Sequence, residues 1–578
     1  MRKKHFLFAS VLALLCGSST LHAQDFKLTS SGYFKNQGVD VMAFDDIYPE
    51  GHQGGVCIIM NGHRVATNGD IRLEATPGQW QPVPKQLDRK LGDNSITATL
   101  CYPDSSRHLT GFNPMIYPDL HLIYTVNVES KGKNIEVTVD LDRPIPQEFI
   151  GKVGFNLEFF PGSLFGKPWI MDGQSGIFPQ QPNSPLMTTQ PNYLHTGNYH
   201  DGKKSLADMN KLIGKGYSPI VADDIISEPY AKGTKFTSRP DDPYNKVTIE
   251  SLSGDLQLFD GRMNHNNGWF VLRSNIKPGV TKGAVKWIIT PNVVADWMYQ
   301  PVIQTSQIGY HPTQDKEAVI EMDIRDNRKE TAQIIRIDAD GEKVVKNVTP
   351  ANWGKFLRYN YLKVNFTDVK EPGLYKIKYN TSVSPIFRID NDVYARGVWQ
   401  PVLEYFLPVQ MCHMRVNEKY RVWHDCCHMD DAQMAPAHNH IDGYDQKEGL
   451  SKFKPGEVVP GVNIGGWHDA GDFDLRIESQ AGESYILALA YEAFHPNLDV
   501  TSIDQINRVT EIHQPDGKND LLQQVENGAL TVVNGYLALG RLYRGIICND
   551  LRQYVLLGDA AAMTDGKIGN EDDRWIFT

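Results

Sequence analysis

The decapeptide GGWHDAGDFD, residues 465–474, places Asp469, Asp472 and Asp474 close together behind two glycines and a tryptophan. An ionised carboxylate can draw a proton from water while a neighbour orients that water, which is the chemistry two such groups can share. Gly471 permits a tight turn between Asp469 and Asp472, so their oxygens can point to one side. Trp467 adds a flat apolar face of the kind that packs against the C–H faces of sugar rings. The same spacing also suits a calcium-binding loop or a solvated turn, and spacing alone leaves all three readings open.

A second group is Cys412 with Cys427 and His428. Thiolates beside an imidazole suit zinc, which takes four such ligands tetrahedrally when its role is structural. In an oxidising compartment a Cys412–Cys427 or Cys412–Cys426 disulfide is the competing reading. Cys57 and Cys101 could bridge or sit as small buried hydrophobes. The sequence holds no phosphate-cradling glycine loop, no His-Glu-x-x-His helix and no serine nucleophile elbow.

The elements that must position these groups change character along the chain. Residues 24–300 are short alternating runs broken by Gly, Pro, Asn and Asp, which predicts a β-rich accessory domain, a large β-sandwich. Within it, LHLIYTVNVESKGKNIEVTVDL (residues 120–141) reads as a hairpin, and residues 162–241 read as long loops. Residues 301–390 carry short strands at the spacing of a small immunoglobulin-like sandwich. From residue 391 to 578 the period shifts to about 3.6, predicting helices. One runs from an Asp392 N-cap through VYARGVWQPVLEYFLPVQMCHM, kinked at Pro401. A second covers residues 478–494, and a third starts at Asn519 and runs to about Cys548, broken near Gly528 or Gly535.

GGWHDAGD in this setting resembles glycoside hydrolase family 9. SQIGYHP (306–312) and EPGLYKIKY (371–379) are similar to the opening and closing strands of the immunoglobulin-like module that precedes the catalytic domain in one branch of that family, and VWHDCCHMDDA (422–432) is similar to its Cys-His loop. The resemblance covers residues 301–578. It implies a multidomain protein of N-terminal β-sandwich domains followed by an all-α (α/α)6 barrel, only partly present here. It also implies inverting hydrolysis of β-1,4-glucan or a related plant polysaccharide, Asp472 being the general base and Asp469 the partner that holds the nucleophilic water. Trp467 and His468 would line the substrate cleft. Asp474 matches no family role and reads as a solvated or capping residue. The family branch carries a structural zinc on two Cys and two His. Cys412, Cys427 and His428 match it, and His468, His413 or a carboxylate would have to supply the fourth ligand, or the site is lost.

Inverting hydrolysis also needs an acid carboxyl. The family supplies it as a late Glu in the barrel, and the sequence to Thr578 is expected to stop short of it; Asn570-Glu571 is not a substitute. Robust hydrolysis by this chain would overturn that expectation. The rival reading is a non-catalytic glycan-binding protein with a vestigial helical domain, and a metal-dependent hydrolase is a third. No cofactor is required for the expected chemistry; a structural zinc and a calcium ion are the two metals the residues suit.

Bulk properties bound these readings. The 578 residues include 58 Lys and Arg against 69 Asp and Glu, a formal charge of −11, and no clustered basic run, which disfavours a nucleic-acid partner and fits a neutral polymer such as a polysaccharide. MRKKHFLFASVLALLCGSSTLHAQ reads as a signal peptide over residues 1–23, so a secreted, periplasmic or cell-surface location is expected, and Cys16 offers a lipoprotein alternative. No other apolar run is long enough to form a transmembrane segment.

Overall fold

The computed structural model describes residues 25–45, 54–78, 84–102, 120–183, 187–189, 225–263, 268–356, 358–429, 432–439, 445–469, 473–548 and 574–578. The signal-peptide stretch and Cys16 lie outside them. None of the described helices is long and apolar enough to cross a membrane.

The first half of the chain builds two nine-stranded sheets. In one, His63–Leu73 and Val153–Phe159 are central; in the other, Asn134–Leu141 and Ile123–Lys131 are. The last two form the hairpin expected over 120–141, turning at Gly132 with φ 67°. Val126, Val128, Val137 and Val139 alternate inward to meet Phe155, Leu157, Ile71 and Leu272 from the facing sheet, so one continuous core lies between the layers. The loop expectation over 162–241 holds only in part. Pro168–Met171 and Gln174–Ile177 pair as a hairpin and join the second sheet, because Trp169 and Met171 supply its buried face.

Val153–Phe159, VGFNLEF, is buried along both faces. Its Phe and Leu residues enter the core, whereas Asn156 and Glu158 sit on the other face with Asp70, Arg72 and Arg273 across the ladder. Arg273 donates to Asn156 Oδ1 at 2.9 Å and approaches Glu74 Oε1 at 3.3 Å, and Asn68 Nδ2 donates to Glu158 at 2.6 Å. Three carboxyls (Asp70, Glu74, Glu158) therefore share two guanidiniums (Arg72, Arg273) out of water. Burial raises the Asp70 carboxyl from 3.8 to about 6 and the Glu74 carboxyl from 4.5 to about 7, the arginines opposing it only in part.

Residues 302–389 form the second sandwich. One sheet contains Val302–Gln304, Glu317–Asp323, Tyr359–Asn365 and Ala351–Phe356; the other is built around Ala332–Asp338 and Gly373–Tyr379. The SQIGYHP motif has a mechanical role here. Tyr310 packs edge-on against Phe366 and Phe387, its hydroxyl donates to Glu317 O, and it accepts from Ser306 N. Gly309, at φ 92°, lies so close to the last strand that a Cβ would sit 2.2 Å from Arg388 O.

The remaining described residues depart from the expected helical barrel. They contain two long helices, α1 (Ile477–Phe494) and α2 (Asp520–Leu539), packed on each other, together with two four-stranded sheets. The helix expected from Asp392 is reduced to a π-turn at Val402–Phe406 and a helical turn at Leu407–Gln410, since Pro401 and Pro408 interrupt the ladder. The start of α2 falls at Asn519 as expected, and Asn519 caps it by accepting from Leu521 N and Leu522 N. The helix runs unbroken through Gly528 and Gly535 and ends at Gly540 (φ 74°), and the expected continuation to Cys548 is instead the strand Gly545–Cys548.

The shared charge on the first sandwich makes its stability depend on pH. Asp70 and Glu74 have folded-state pKa values above their unfolded ones, so their contribution is complete below the unfolded values and fades as pH rises through about 6 to 7. The unfolding temperature of this domain, followed by calorimetry between about pH 5 and pH 8, should fall with rising pH. The Asp70→Asn, Glu74→Gln double variant should flatten that fall.

Candidate functional site

The glycine pair of GGWHDAGDFD is fixed by its neighbours. Gly465 (φ 71°) and Gly466 (φ 86°) lie against α2, where a Cβ would meet Asn527 O at 2.4 Å or Leu475 Cδ2 at 2.7 Å respectively. Gly466 N donates to Asn527 O, and Asn527 Nδ2 returns a bond to Gly466 O. Held on the helix in this way, residues 466–468 pair with residues 410–412: Cys412 N donates to Gly466 O at 2.9 Å, and His468 N donates to Gln410 O at 2.8 Å.

That pairing assembles a metal-ligand set. Cys412, Cys427, His428 and His468 are all buried, and one ligand atom from each lies within 4.8 Å of every other. Cys412 Sγ is 3.3 Å from Cys427 Sγ and 2.9 Å from His428 Nδ1, and Cys427 Sγ is 3.2 Å from His468 Nε2. Zinc–ligand bonds of about 2.0–2.3 Å give tetrahedral edges of about 3.3–3.8 Å, so a small contraction or expansion of this set would accommodate the ion. Burial raises the Cys427 thiol, yet the Cys412 contact and the His468 and His428 rings outweigh it and bring the thiol well below its usual value. Burial holds His428 neutral. A thiolate beside a neutral imidazole is the protonation state a metal requires.

Of the options left open for the fourth ligand, His468 is the residue brought into the set. His413 turns away, its Nδ1 2.9 Å from Gly465 O, and burial lowers it to about 4. The Cys412–Cys427 disulfide alternative is not formed: the two Sγ atoms stand 3.3 Å apart, well beyond an S–S bond of about 2.0 Å. With His468 facing inward to Cys427, the cleft-lining place expected for it is not where the ring lies.

Trp467 is also displaced from its expected role. It is 1% exposed; its Nε1 donates to Gln524 Oε1 at 2.7 Å, and its backbone exchanges two bonds with the Gln480 side chain. The indole is a packing element between α1 and α2, its N–H satisfied by Gln524 and its backbone held by Gln480, and at 1% exposure no face remains for a sugar ring. Asp474, expected to be solvated or capping, is fully buried, 3.4 Å from Arg476 NH2 and 3.7 Å from Arg574 Nε.

Asp469 keeps partial exposure, 29% for its side chain, with Oδ1 accepting from Ser479 Oγ at 2.9 Å and Oδ2 3.3 Å from Arg476 Nε. Asp472, and with it the catalytic pair and the calcium-loop reading, lies outside the described residues. Glu483 on α1 was not singled out by the sequence; burial, and then the Asp469 charge, push its carboxyl up. Gln480, Gln524 and Asn527 were missed as well, and no local pattern marks them, because their role exists only once α1 and α2 meet the loop. Gly528 faces Trp467 so closely that a Cβ would sit 2.4 Å from the ring and 2.2 Å from Ser484 Oγ. Gly528→Ala should therefore destabilise this part of the protein by about 1–3 kcal/mol in chemical denaturation.

Residues 298–384 match the family model described as the cellulase N-terminal ig-like domain. Among solved structures, a metagenome-derived glycoside hydrolase family 9 endoglucanase is similar at 20% identity over 48% of this chain and 46% of its own, with a TM-score of 0.34. A family 9 protein from Bacteroides ovatus is similar at 18% identity over 48% and 45%, TM-score 0.33. A Zn-binding triple mutant of a family 9 endoglucanase is similar at 20% identity over 46% and 44%, TM-score 0.33. The chain thus spans less than half the length of these structures. No curated protein matches it. Residues 298–384 are an immunoglobulin-like domain of the cellulase N-terminal type, which supports the resemblance of the chain to glycoside hydrolase family 9.

Proposed function

We propose that the protein is an exported glycoside hydrolase acting on β-1,4-linked glucan or a related plant polysaccharide with inversion. Asp472 serves as the general base and Asp469 helps to hold the nucleophilic water. The observation that carries this reading is the cellulase-type immunoglobulin-like domain at residues 298–384, which precedes the GGWHDAGD segment in the chain. Asp469 is consistent with its part, since Ser479 and Arg476 fix both of its oxygens while leaving the carboxylate partly open. The base removes a proton from water as that water attacks the anomeric carbon, and an acid carboxyl about 6.5–9.5 Å away protonates the departing oxygen. That acid is not assigned to a residue of this chain.

In the same reading, Cys412, Cys427, His428 and His468 hold a zinc ion whose role is structural, because four protein ligands leave no coordination position for water or substrate. When bound, the ion tethers the 410–412 segment to the catalytic loop. Trp467, buried beside His468, then contributes rigidity to the loop and no contact to substrate.

Reducing-sugar release from soluble β-1,4-glucan tests the base. In a form of the protein that carries the acid carboxyl, Asp472→Ala should lower it by about 10²- to 10⁴-fold, with retention on insoluble cellulose unchanged. Retention of that form, with Asp472 intact, without any sugar release would replace this reading with that of a non-catalytic glycan-binding protein. Undiminished release by the variant would remove Asp472 from the mechanism.

For the metal, the purified protein should carry about one zinc per chain, and Cys427→Ser should carry none. Chelation should lower the melting temperature while sparing sugar release at temperatures where the protein stays folded. Abolished release with an unchanged melting temperature would instead indicate a metal-dependent hydrolase.

A further inference from the structure

A cavity of about 380 Å³ lies in the seam between the first sandwich and the immunoglobulin-like one, far in sequence from the GGWHDAGD segment. Its floor is one row of side chains across four adjacent strands: Lys27 opposite Lys35, Lys35 opposite Asp40, and Asp40 opposite Ile59. Opposed residues in an antiparallel sheet project from the same face. Its walls include Trp297, Tyr299 and Tyr359, with Tyr299 set between the other two at ring-centroid distances of 6.3 and 5.1 Å.

The seam is built to hold these rings. Gln37 Nε2 and Arg325 Nη2 both donate to Trp297 O at 2.8 Å. Gly38, at φ 68°, has no room for a Cβ, which would fall 2.7 Å from the Trp297 ring. Asp323, bound by Arg325 and by Tyr299 N, fixes the linker to the second sandwich.

Two features of the floor point to a ligand. The Asp40 side chain is only 8% exposed, and among the described residues nothing donates a hydrogen bond to its carboxylate; its nearest cation, Arg358 Nε, is 4.0 Å away and itself buried without a hydrogen-bond partner. A buried carboxylate in this state costs free energy until a donor reaches it. Lys27 and Lys35 face each other directly at the open side of the cavity, and Lys35 in turn lies across from Asp40 and acts on its charge, so two cations and one carboxyl line this row. A cavity of this volume is at the lower end of the range for small-molecule sites, and seams between domains are where such sites concentrate.

We propose that this seam binds a single acidic sugar residue, a hexuronate, whose hydroxyls donate to Asp40, whose carboxylate lies between Lys27 and Lys35, and whose ring packs on Trp297. The inference does not rest on the hydrolase reading, because it uses none of the residues that reading needs.

Calorimetric titration of the full chain with D-glucuronate, D-galacturonate, D-glucose and inorganic sulfate tests it. At least one uronate should bind about tenfold more tightly than glucose, and sulfate should not compete at equal concentration. Lys27→Ala with Lys35→Ala, both exposed positions that leave the fold intact, should bring the uronate down to the affinity of glucose. Asp40→Asn should weaken uronate and glucose alike by about tenfold. Absence of uronate binding, sulfate competing as well as the uronates, or unchanged affinity in both variants would overturn the proposal. Sugar release from β-1,4-glucan should be the same in all of these variants, so failure here is distinguishable from failure of the catalytic reading.

Discussion

The third part of the protein hangs on one backbone pairing, that of residues 410–412 with residues 466–468, clamped to α2 through Gly466 and Asn527. Without it Cys412 and His468 would belong to unrelated loops. With it, a thiol and an imidazole more than fifty residues apart in sequence face each other across a strand-like ladder, and Cys427 and His428 fall between them. The two glycines are required at this point because the ladder must approach the helix more closely than any side chain permits.

The same clamp explains why the tryptophan of the motif is buried. A ring inserted between two helices needs its N–H satisfied, and Gln524 supplies the acceptor. Gly528 gives the ring its space, so the helix carries a residue of poor helical propensity where packing demands one. Rigid support for the Asp469 segment follows from this arrangement, since Asp469 N donates to Asp474 O and Asp474 is in turn held between Arg476 and Arg574.

Much of the architecture could be read from residue patterns, and the failures have identifiable physical origins. The hairpin at 120–141 and the start of α2 at Asn519 were legible because turn and helix-start chemistry is local. The glycines in α2 were misread as breaks, because their reason is a tertiary contact with Trp467 and Tyr543 that local pattern does not contain. The burial of Asn156 and Glu158 in VGFNLEF has no local signal, because the charge network that holds them is formed by strands distant in sequence. At the metal-ligand set, three residues followed from motif and chemistry; choosing His468 over His413 required the backbone pairing. The helix expected after Asp392 survives only as the turns at Val402–Phe406 and Leu407–Gln410, because Pro401, read as a kink, acts with Pro408 to remove backbone donors that the apolar period does not register.

The parallel pairing of Arg415–Glu418 with Val509–Ile512 draws together segments about ninety positions apart, while Asp474 reaches across a comparable interval to Arg574. Contacts of such span reward the chain only after long loops have closed, and loop closure is an entropic cost met before any packing repays it. The first sandwich closes loops of similar span, since Val153–Phe159 pairs with Phe270–Asn275 and Val285–Pro291 with Asn134–Leu141. During synthesis the groups that enclose Cys412 and Cys427, Leu539 and Ile576 among them, are made last, so both thiols stay accessible to oxidants until those residues arrive.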